Sequence, residues 1–409
     1  MGQSSCQEWA TRARAVMPFG SSTCSKSPRY LPEEPGAIVR GKGCRVWDAD
    51  GREYIDFRNG LGPVTLGYCY PATDEAIRRQ LEDGIIFGQP HPLETEVAEM
   101  ICEVIPCAER ARFLKTGGEA NAACIRLARH HTGRDHVVQV GYNGWLNSLA
   151  AGGRTLPRME ATSSPPGVPR ALSALHHSCG WNNTERLEGL FAEQGDQIAA
   201  LVIAAGYTDM EAGETFYPLA RELTEKHGAV LIYDEIVTGF RVALAGVQEH
   251  FGVTPDMAVF AKGVANGMPL SVYCGKAEIM EGVHEAIVSS TYGGETLSLA
   301  AAKATIETYR NEGVIDHLWR MGEKMWSACN AMYREHGLPL EWQGYWPVPQ
   351  IVAGPDAPAD LHERFVRASY ANGLSFYQCN YVTFSHKEAD IEDALERMEN
   401  ACRQLAAGM

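Results

Sequence analysis

Between residues 74 and 265 the chain alternates two hydrophobic periods. Stretches with apolar residues every three or four positions (Asp74–Leu81, Glu94–Ile105, Glu119–His131, Thr184–Glu193 and Pro218–His227) predict amphipathic helices. Between them lie short apolar runs of strand length, Ala111–Leu114, His136–Val140, Ile198–Ile203, Ala229–Tyr233 and Met257–Phe260. Strands alternating with helices predict an α/β fold, a mostly parallel sheet covered on both faces. On such sheets ligands sit beyond the carboxyl ends of the strands, where Thr116, Tyr142 and Asp234 fall.

The flanks read differently. A short helix over Gln7–Met17 leads into the Gly/Ser/Pro-rich loop Pro18–Arg29, which cannot form a core of its own and is a candidate for an active-site entrance. Arg45–Trp47 and Glu53–Phe57 flank Asp48-Ala-Asp-Gly51, and the Asp-Gly pair signals a hairpin. The Pro/Ser/His-rich span 154–183 reads as an excursion over the active-site face. A long helix over Thr296–Arg310 then leads to a smaller α+β lobe that ends in an amphipathic helix, Ala389–Leu405. The expected division is an N-terminal segment, 1–60, a large domain, 61–293, and a C-terminal domain, 294–409, with the two terminal segments together building the smaller domain.

Totals narrow the function. At 409 residues the chain exceeds what one core usually supports, and 45% hydrophobic with 21% charged residues is ordinary for a globular protein. A formal charge of −15 disfavours nucleic acid or an anionic membrane as partner and favours a small molecule. No apolar run approaches the roughly 20 residues of a membrane span. The start Met1-Gly-Gln-Ser-Ser-Cys-Gln-Glu8 lacks a charged-then-apolar leader. The twelve cysteines are scattered through expected helices and strands without a C-x-x-C pair, which suits reduced thiols in a cytoplasmic enzyme.

Candidate chemistry centres on Leu231-Ile-Tyr-Asp-Glu-Ile-Val-Thr-Gly-Phe-Arg241 and on Lys262 within Met257-Ala-Val-Phe-Ala-Lys-Gly263. An apolar strand ending in a carboxylate, and a lysine set in a second apolar run, are what pyridoxal phosphate requires. The acid keeps the ring nitrogen protonated so that the ring withdraws electrons, and the amine tethers the cofactor as an imine. Phe113-Leu-Lys-Thr-Gly-Gly-Glu-Ala120 runs a strand through a Thr-Gly-Gly turn into a helix, and amides at a helix start bind anions. Tyr142, in Gly141-Tyr-Asn-Gly-Trp145, can stack on a flat ring. Each feature also has an ordinary structural reading: a helix cap for Thr116 or Asp234, a tyrosine packed in its own turn, a lysine reaching solvent from a strand end.

Taken together, Thr116-Gly-Gly-Glu-Ala120 with Ile125-Arg-Leu-Ala-Arg129, His131-Thr-Gly-Arg-Asp135, Tyr233–Arg241, Phe251-Gly-Val-Thr-Pro-Asp256 and Ala261-Lys-Gly263 resemble the class III, fold-type I pyridoxal phosphate aminotransferases, and within them the glutamate-1-semialdehyde aminotransferase-like branch. The likeness runs from about Arg14 to Leu405. It implies that Lys262 is the Schiff-base lysine that moves the substrate proton and that Asp234 partners the pyridine nitrogen. It implies further that Thr116, Gly117 and Gly118 hold the phosphate, that Tyr142 stacks on the ring, and that Thr291, in Ser290-Thr-Tyr-Gly-Gly294, reaches the phosphate of the neighbouring subunit. The implied assembly is a homodimer with shared active sites.

Several positions depart from the family pattern. Ile203 is followed by Ala204-Ala-Gly-Tyr207 where Glu-Pro is usual, and Phe376–His386 contains no arginine. The glutamate–arginine switch of ω-aminotransferases is thus missing in both halves, which argues against 4-aminobutyrate or ornithine as substrate. Asn143 replaces the histidine of the usual Tyr-His-Gly and cannot titrate near neutral pH. Leu61 replaces the tryptophan of true glutamate-1-semialdehyde enzymes, whose carboxylate-binding arginine has only Lys26 and Arg29 as counterparts. The expected activity is therefore amino transfer between another amine donor and carbonyl acceptor, in amino-sugar, nucleotide-sugar or natural-product biosynthesis, with a pocket drawn from Lys26, Arg29, Leu61, Asn143, Trp145, Arg154 and Tyr207. Another reaction on the same cofactor (aminomutase, racemase or decarboxylase) and a non-catalytic relative are the alternatives.

Overall fold

A computed structural model of the chain describes residues 5–146 and 166–408. The chain divides into two compact units, one of Met1–Pro71 with Asp316–Met409 and a larger one of Ala72–Ile315. Both boundaries fall later than the expected 60/61 and 293/294. The helix Thr296–Glu312 belongs to the larger unit because it packs there on the helix Pro92–Val104 and on the turn Lys262–Ala265.

The larger unit is built on a seven-stranded sheet. Its strands in chain order are β1 Arg110–Leu114, β2 His136–Val140, β3 His176–Cys179, β4 Ile198–Ala204, β5 Val230–Asp234, β6 Met257–Phe260 and β7 Ser271–Gly275. In space the order is β1-β7-β6-β5-β4-β2-β3. Strands β2 to β6 run parallel, while β7 pairs antiparallel with both β6 and β1. Every residue of β4, β5 and β6 is buried, as a sheet covered on both faces requires.

Two strands were not evident from periodicity. β3, His-His-Ser-Cys, lies in the span expected to be an excursion; its polar residues hide a strand that pairing with β2 stabilises. β7 lacks the apolar run of its neighbours yet is wholly buried. β3 lies on one side of β2 and β4 on the other, so the connections after β2 diverge and leave a crevice at the carboxyl ends of these strands.

Among the helices of this unit, α1 (Pro71–Asp83) and α2 (Pro92–Val104) precede the sheet, and α3 (Gly117–Thr132) packs across β4 to β7. Helix α3 begins with a reciprocal cap: Glu119 N–H donates to Thr116 Oγ1 at 3.4 Å and Thr116 N–H donates to the Glu119 carboxylate at 2.8 Å. Ala120, Ala123, Cys124, Leu127 and Ala128 on its inner face join Val137, Ala200, Val202, Ile232 and Val259 in the core of the unit.

The smaller unit holds a four-stranded sheet in which the hairpin Ile38–Lys42, Arg45–Asp48, Glu53–Asp56 is joined by Leu374–Ser375 running parallel to Glu53–Asp56. The Asp48–Gly51 turn is fixed by the Asp48 carboxylate, which accepts from the N–H groups of Asp50 and Arg52 at 3.0 and 2.8 Å. Phe57, Trp326, Trp342, Phe365 and Phe376 form its aromatic core. No helix among the described residues is long and apolar enough to cross a membrane, and no two of their cysteines are joined.

Candidate active site

The carboxyl ends of β2, β4, β5 and β6 bring the chemistry together. Asp234 is the last residue of β5, opposite Ala204 of β4 and Val259 of β6. It is 7% exposed. Its Oδ2 accepts from Asn121 Nδ2 at 2.7 Å and Asn143 Nδ2 at 3.3 Å, and its Oδ1 accepts from Ile236 N–H at 3.1 Å. Burial pushes this carboxyl above the usual aspartate range; the three hydrogen bonds and the Lys262 charge pull the other way without cancelling it.

Lys262 opens the turn that follows β6. Its backbone lies in the left-handed region at φ 47°, where a side chain is disfavoured, and its side chain is half-buried. Glycine would adopt that conformation at less cost. Strain of this kind gathers at functional sites, which makes Lys262 a candidate for one.

Thr116 caps α3 and is exposed, with Gly117 and Gly118 next along the turn. The first intrahelical bond runs from Ala120 N–H to Thr116 O, and no hydrogen bond among the described residues uses the Gly117 and Gly118 amides. Gly117 cannot be replaced without displacement, because a Cβ there would stand 2.2 Å from Ile236 Cδ1. Ser271 Oγ donates to Thr116 O at 2.9 Å and ties the turn to β7. Beside it, Lys115 and Glu295 form a largely buried ion pair at 2.9 Å.

The turn after β2 is equally constrained. Gly141 has φ +73°, and a Cβ there would meet Ala204 O at 2.9 Å. The turn leaves Tyr142 57% exposed and buries Asn143 at 1%. Asn143, expected to line a substrate pocket, instead directs its amide at Asp234 and its Oδ1 at Gln139. Its burial follows from the tight turn, which points alternate side chains outward and inward.

Other expected residues are placed as follows. Trp145 is 77% exposed and Tyr207 half-buried, both past strand ends of the larger unit. Thr291 is exposed on the Ser290–Gly294 segment, where Gly293 N–H donates to Ser290 O at 3.2 Å. Lys26 and Leu61 line a cavity of about 380 Å³ within the smaller unit, with Leu61 at φ 75°. Arg29 lines a second cavity there, of about 260 Å³. Arg154 lies outside the described residues.

Asn121 was not evident from the sequence. It donates to both Asp234 and the Asn143 carbonyl from a buried helix face that is otherwise apolar. An amide among apolar residues on a buried helix face was the available signal.

These residues fit pyridoxal phosphate. Three donors leave the Asp234 carboxylate one acceptor position on Oδ1, and Asn121 Oδ1 is buried without a partner among the described residues. Burial keeps this carboxyl above the usual aspartate range despite three hydrogen bonds and the Lys262 charge, and a protonated ring nitrogen would place a further cation beside it. The open amides of Gly117 and Gly118 at the start of a 16-residue helix suit a phosphate.

Comparison with known proteins agrees. The chain matches the family described as Aminotransferase class-III over residues 30–401. It is 32% identical to a glutamate-1-semialdehyde 2,1-aminomutase of Laribacter hongkongensis (strain HLHK9), covering 98% of this chain and 99% of that protein. Among solved structures, the PLP internal aldimine form of the FumI protein of Sphingopyxis sp. MTA144 superposes with a TM-score of 0.90 at 25% identity, over 98% of this chain and 96% of that one. An omega-transaminase from Sphaerobacter thermophilus, 24% identical, shares the fold with a TM-score of 0.88 over 98% of each chain. The chain therefore belongs to the class III aminotransferases, fold-type I enzymes that use pyridoxal phosphate.

Proposed function

We propose that Lys262 and Asp234 are the catalytic pair of an aminotransferase that passes an amino group from an amine donor to a carbonyl acceptor in amino-sugar, nucleotide-sugar or natural-product biosynthesis. The observation that carries this reading is the pairing of an oriented, buried Asp234 at one strand end with a backbone-strained Lys262 just past the next. When bound, pyridoxal phosphate supplies the electron sink for the substrate carbon. Asp234 keeps a proton on the ring nitrogen. Lys262 Nζ tethers the cofactor and, once displaced by the donor, takes the proton from the substrate carbon.

The remaining roles follow from position. Thr116 and the amides of Gly117 and Gly118 bind the phosphate, aided by the positive end of α3. Tyr142 covers the ring, and Thr291 reaches the phosphate of a neighbouring subunit in a homodimer. Trp145 and Tyr207 contact substrate. Ala204, where the family usually carries glutamate, offers no partner for a switching arginine and narrows the pocket's charge chemistry. The enzyme is assigned to the cytoplasm.

A second reading, an aminomutase, is favoured by the name of the Laribacter relative. Amine donors separate the two. Amino transfer predicts that an amino acid bleaches the visible band of the bound cofactor and releases the matching keto acid in stoichiometric amount. Conversion of an amino aldehyde with no keto acid released would overturn it in favour of the mutase.

A further inference from the structure

Asp234 is joined to the outer part of the larger unit by a hydrogen-bonded chain. Asn143 Nδ2 donates to Asp234 Oδ2 at 3.3 Å, Gln139 Nε2 donates to Asn143 Oδ1 at 3.3 Å, His176 Nδ1 meets Gln139 Oε1 at 2.9 Å, and Arg129 Nη2 meets His176 Nε2 at 3.3 Å. The four residues come from three elements: Arg129 from the last turn of α3, Gln139 and Asn143 from β2 and its turn, His176 from β3. Register explains the meeting. Val137 pairs with His176, so Gln139, two residues along, shares the face of the sheet on which His176 stands.

The two ends fix the direction of every link. A guanidinium only donates and an ionised carboxylate only accepts. His176 Nε2 must therefore accept from Arg129, which leaves the proton on Nδ1, and Nδ1–H donates to Gln139 Oε1. The Gln139 amide then turns its NH₂ toward Asn143 Oδ1, and Asn143 turns its own NH₂ toward Asp234. All four bonds point the same way, and such chains polarise cooperatively in a buried setting. Gln139, Asn143, His176 and Asp234 are each less than a tenth exposed.

We propose that Arg129, His176, Gln139 and Asn143 form a one-directional relay that holds Asp234 ionised and aimed at the cofactor's ring nitrogen. All four are positioning residues, and the proposal rests on the reading of Asp234 as the ring partner. The relay takes the place of the titratable histidine that the family usually carries where Asn143 stands: a neutral amide beside Asp234, with the imidazole moved to the adjacent strand. His176 itself stays neutral across the working range. Burial first, then the charges of Arg129 on α3, of His177 next to it and of His136 on β2, press its pKa down to about 3.

The test is a pH titration of the visible absorption band of the holoenzyme, with cofactor affinity measured alongside. When the relay is cut, Asp234 binds its proton more tightly and the ring nitrogen loses positive character. The Lys262-linked bond then becomes more basic. Gln139→Leu and His176→Leu should each move the titration midpoint up by about half a pH unit or more, which is what one net hydrogen bond is worth, and weaken cofactor binding roughly 3- to 10-fold. His176→Gln, which can accept from Arg129 and donate to Gln139, should restore both.

The same substitutions are repeated with Asp234→Asn, because a relay acting through Asp234 has nothing left to act on in that background. Disappearance of the shift supports the relay. An equal shift with and without the carboxylate, no shift from either leucine variant, or failure of His176→Gln to restore what His176→Leu loses would overturn it. If Asp234→Asn alone leaves the midpoint unmoved, the assignment of Asp234 as ring partner fails instead. Should Gln139→Leu not fold, Arg129→Met cuts the chain at its half-buried outer end; a smaller shift in the same direction is then the supporting result and its absence the overturning one.

Discussion

Asp234 and Asp56 are both buried carboxylates at the last position of a β-strand, and burial pushes both above the usual aspartate range. Their surroundings differ. Asp56, in the smaller unit, accepts from Ser375 Oγ at 2.6 Å, Tyr68 Oη at 2.8 Å, Asn59 N–H at 3.0 Å and Arg58 N–H at 3.1 Å. Four donors fill a carboxylate's four acceptor positions, so Asp56 is closed and structural. Asp234 has three donors, all rigid amides, and one position left. Burial and a raised pKa are common to both, so neither separates them; the unfilled acceptor and the strained lysine nearby are what support the proposed role of Asp234.

The sharpest break of this comparison is Lys262→Ala. The holoenzyme should lose its visible band, and keto acid release should fall by at least about 1,000-fold, the result expected of the proposed sole tether and proton carrier. Next in size is Asp234→Ala against Asp56→Ala. The first should leave the band present but reduce turnover by about 100-fold or more, as expected for losing a charge that acts on the reacting system. The second should leave the band of the folded protein where it was and instead lower stability by about 3 kcal/mol, from donors left unpaired in the interior. Spectra taken with denaturant melts read both; a band shift in Asp56→Ala would erase the distinction.

The distinction was half legible in the sequence. An apolar strand ending in an acid is written in Val230–Asp234, and the alternation of periods around it predicts the sheet. Lys262 was legible for the same reason, a charge set in an apolar run. What orients Asp234 was not. Asn121 reaches it only where α3 crosses the sheet, Gln139 and His176 connect to it only through Asn143 and the pairing of β3 with β2, and no local pattern encodes register between distant segments. The unit boundaries were missed likewise, because the helix Thr296–Glu312 is assigned by what it packs on rather than by its own periodicity.

A smaller effect probes the proposed phosphate turn. Gly117→Ala places a methyl group against Ile236, two residues beyond Asp234, so the turn and the acid are mechanically linked. Cofactor affinity should fall by roughly 10-fold, the equivalent of one charge-assisted hydrogen bond. Ile236→Ala in the same chain should return most of it by opening the space. Failure of that rescue would mean that the amides of the turn do not hold the phosphate.

A third buried acid completes the series with the smallest effect. Asp256 accepts from Leu231 N–H at 2.8 Å and faces Arg221 at 3.1 Å and Lys276 at 2.7 Å. Burial pushes its carboxyl upward, but here the hydrogen bonds and charges of the two cations outweigh burial and hold it below the usual aspartate range. A depressed folded pKa gives stability that is fully present above the unfolded value and is lost as pH falls through the folded one. Asp256→Asn should therefore lower the thermal unfolding midpoint at pH 7 by a few degrees, at about 2–4 °C per kcal/mol for a unit of this size. The gap between variant and wild type should close as pH is taken below the ordinary aspartate range. The corresponding acid titration of Asp56 should run in the opposite sense, because its raised pKa makes protonation favour the fold; a gap for Asp256→Asn that persists at acid pH would show that the carboxylate's shape rather than its charge is what the fold uses.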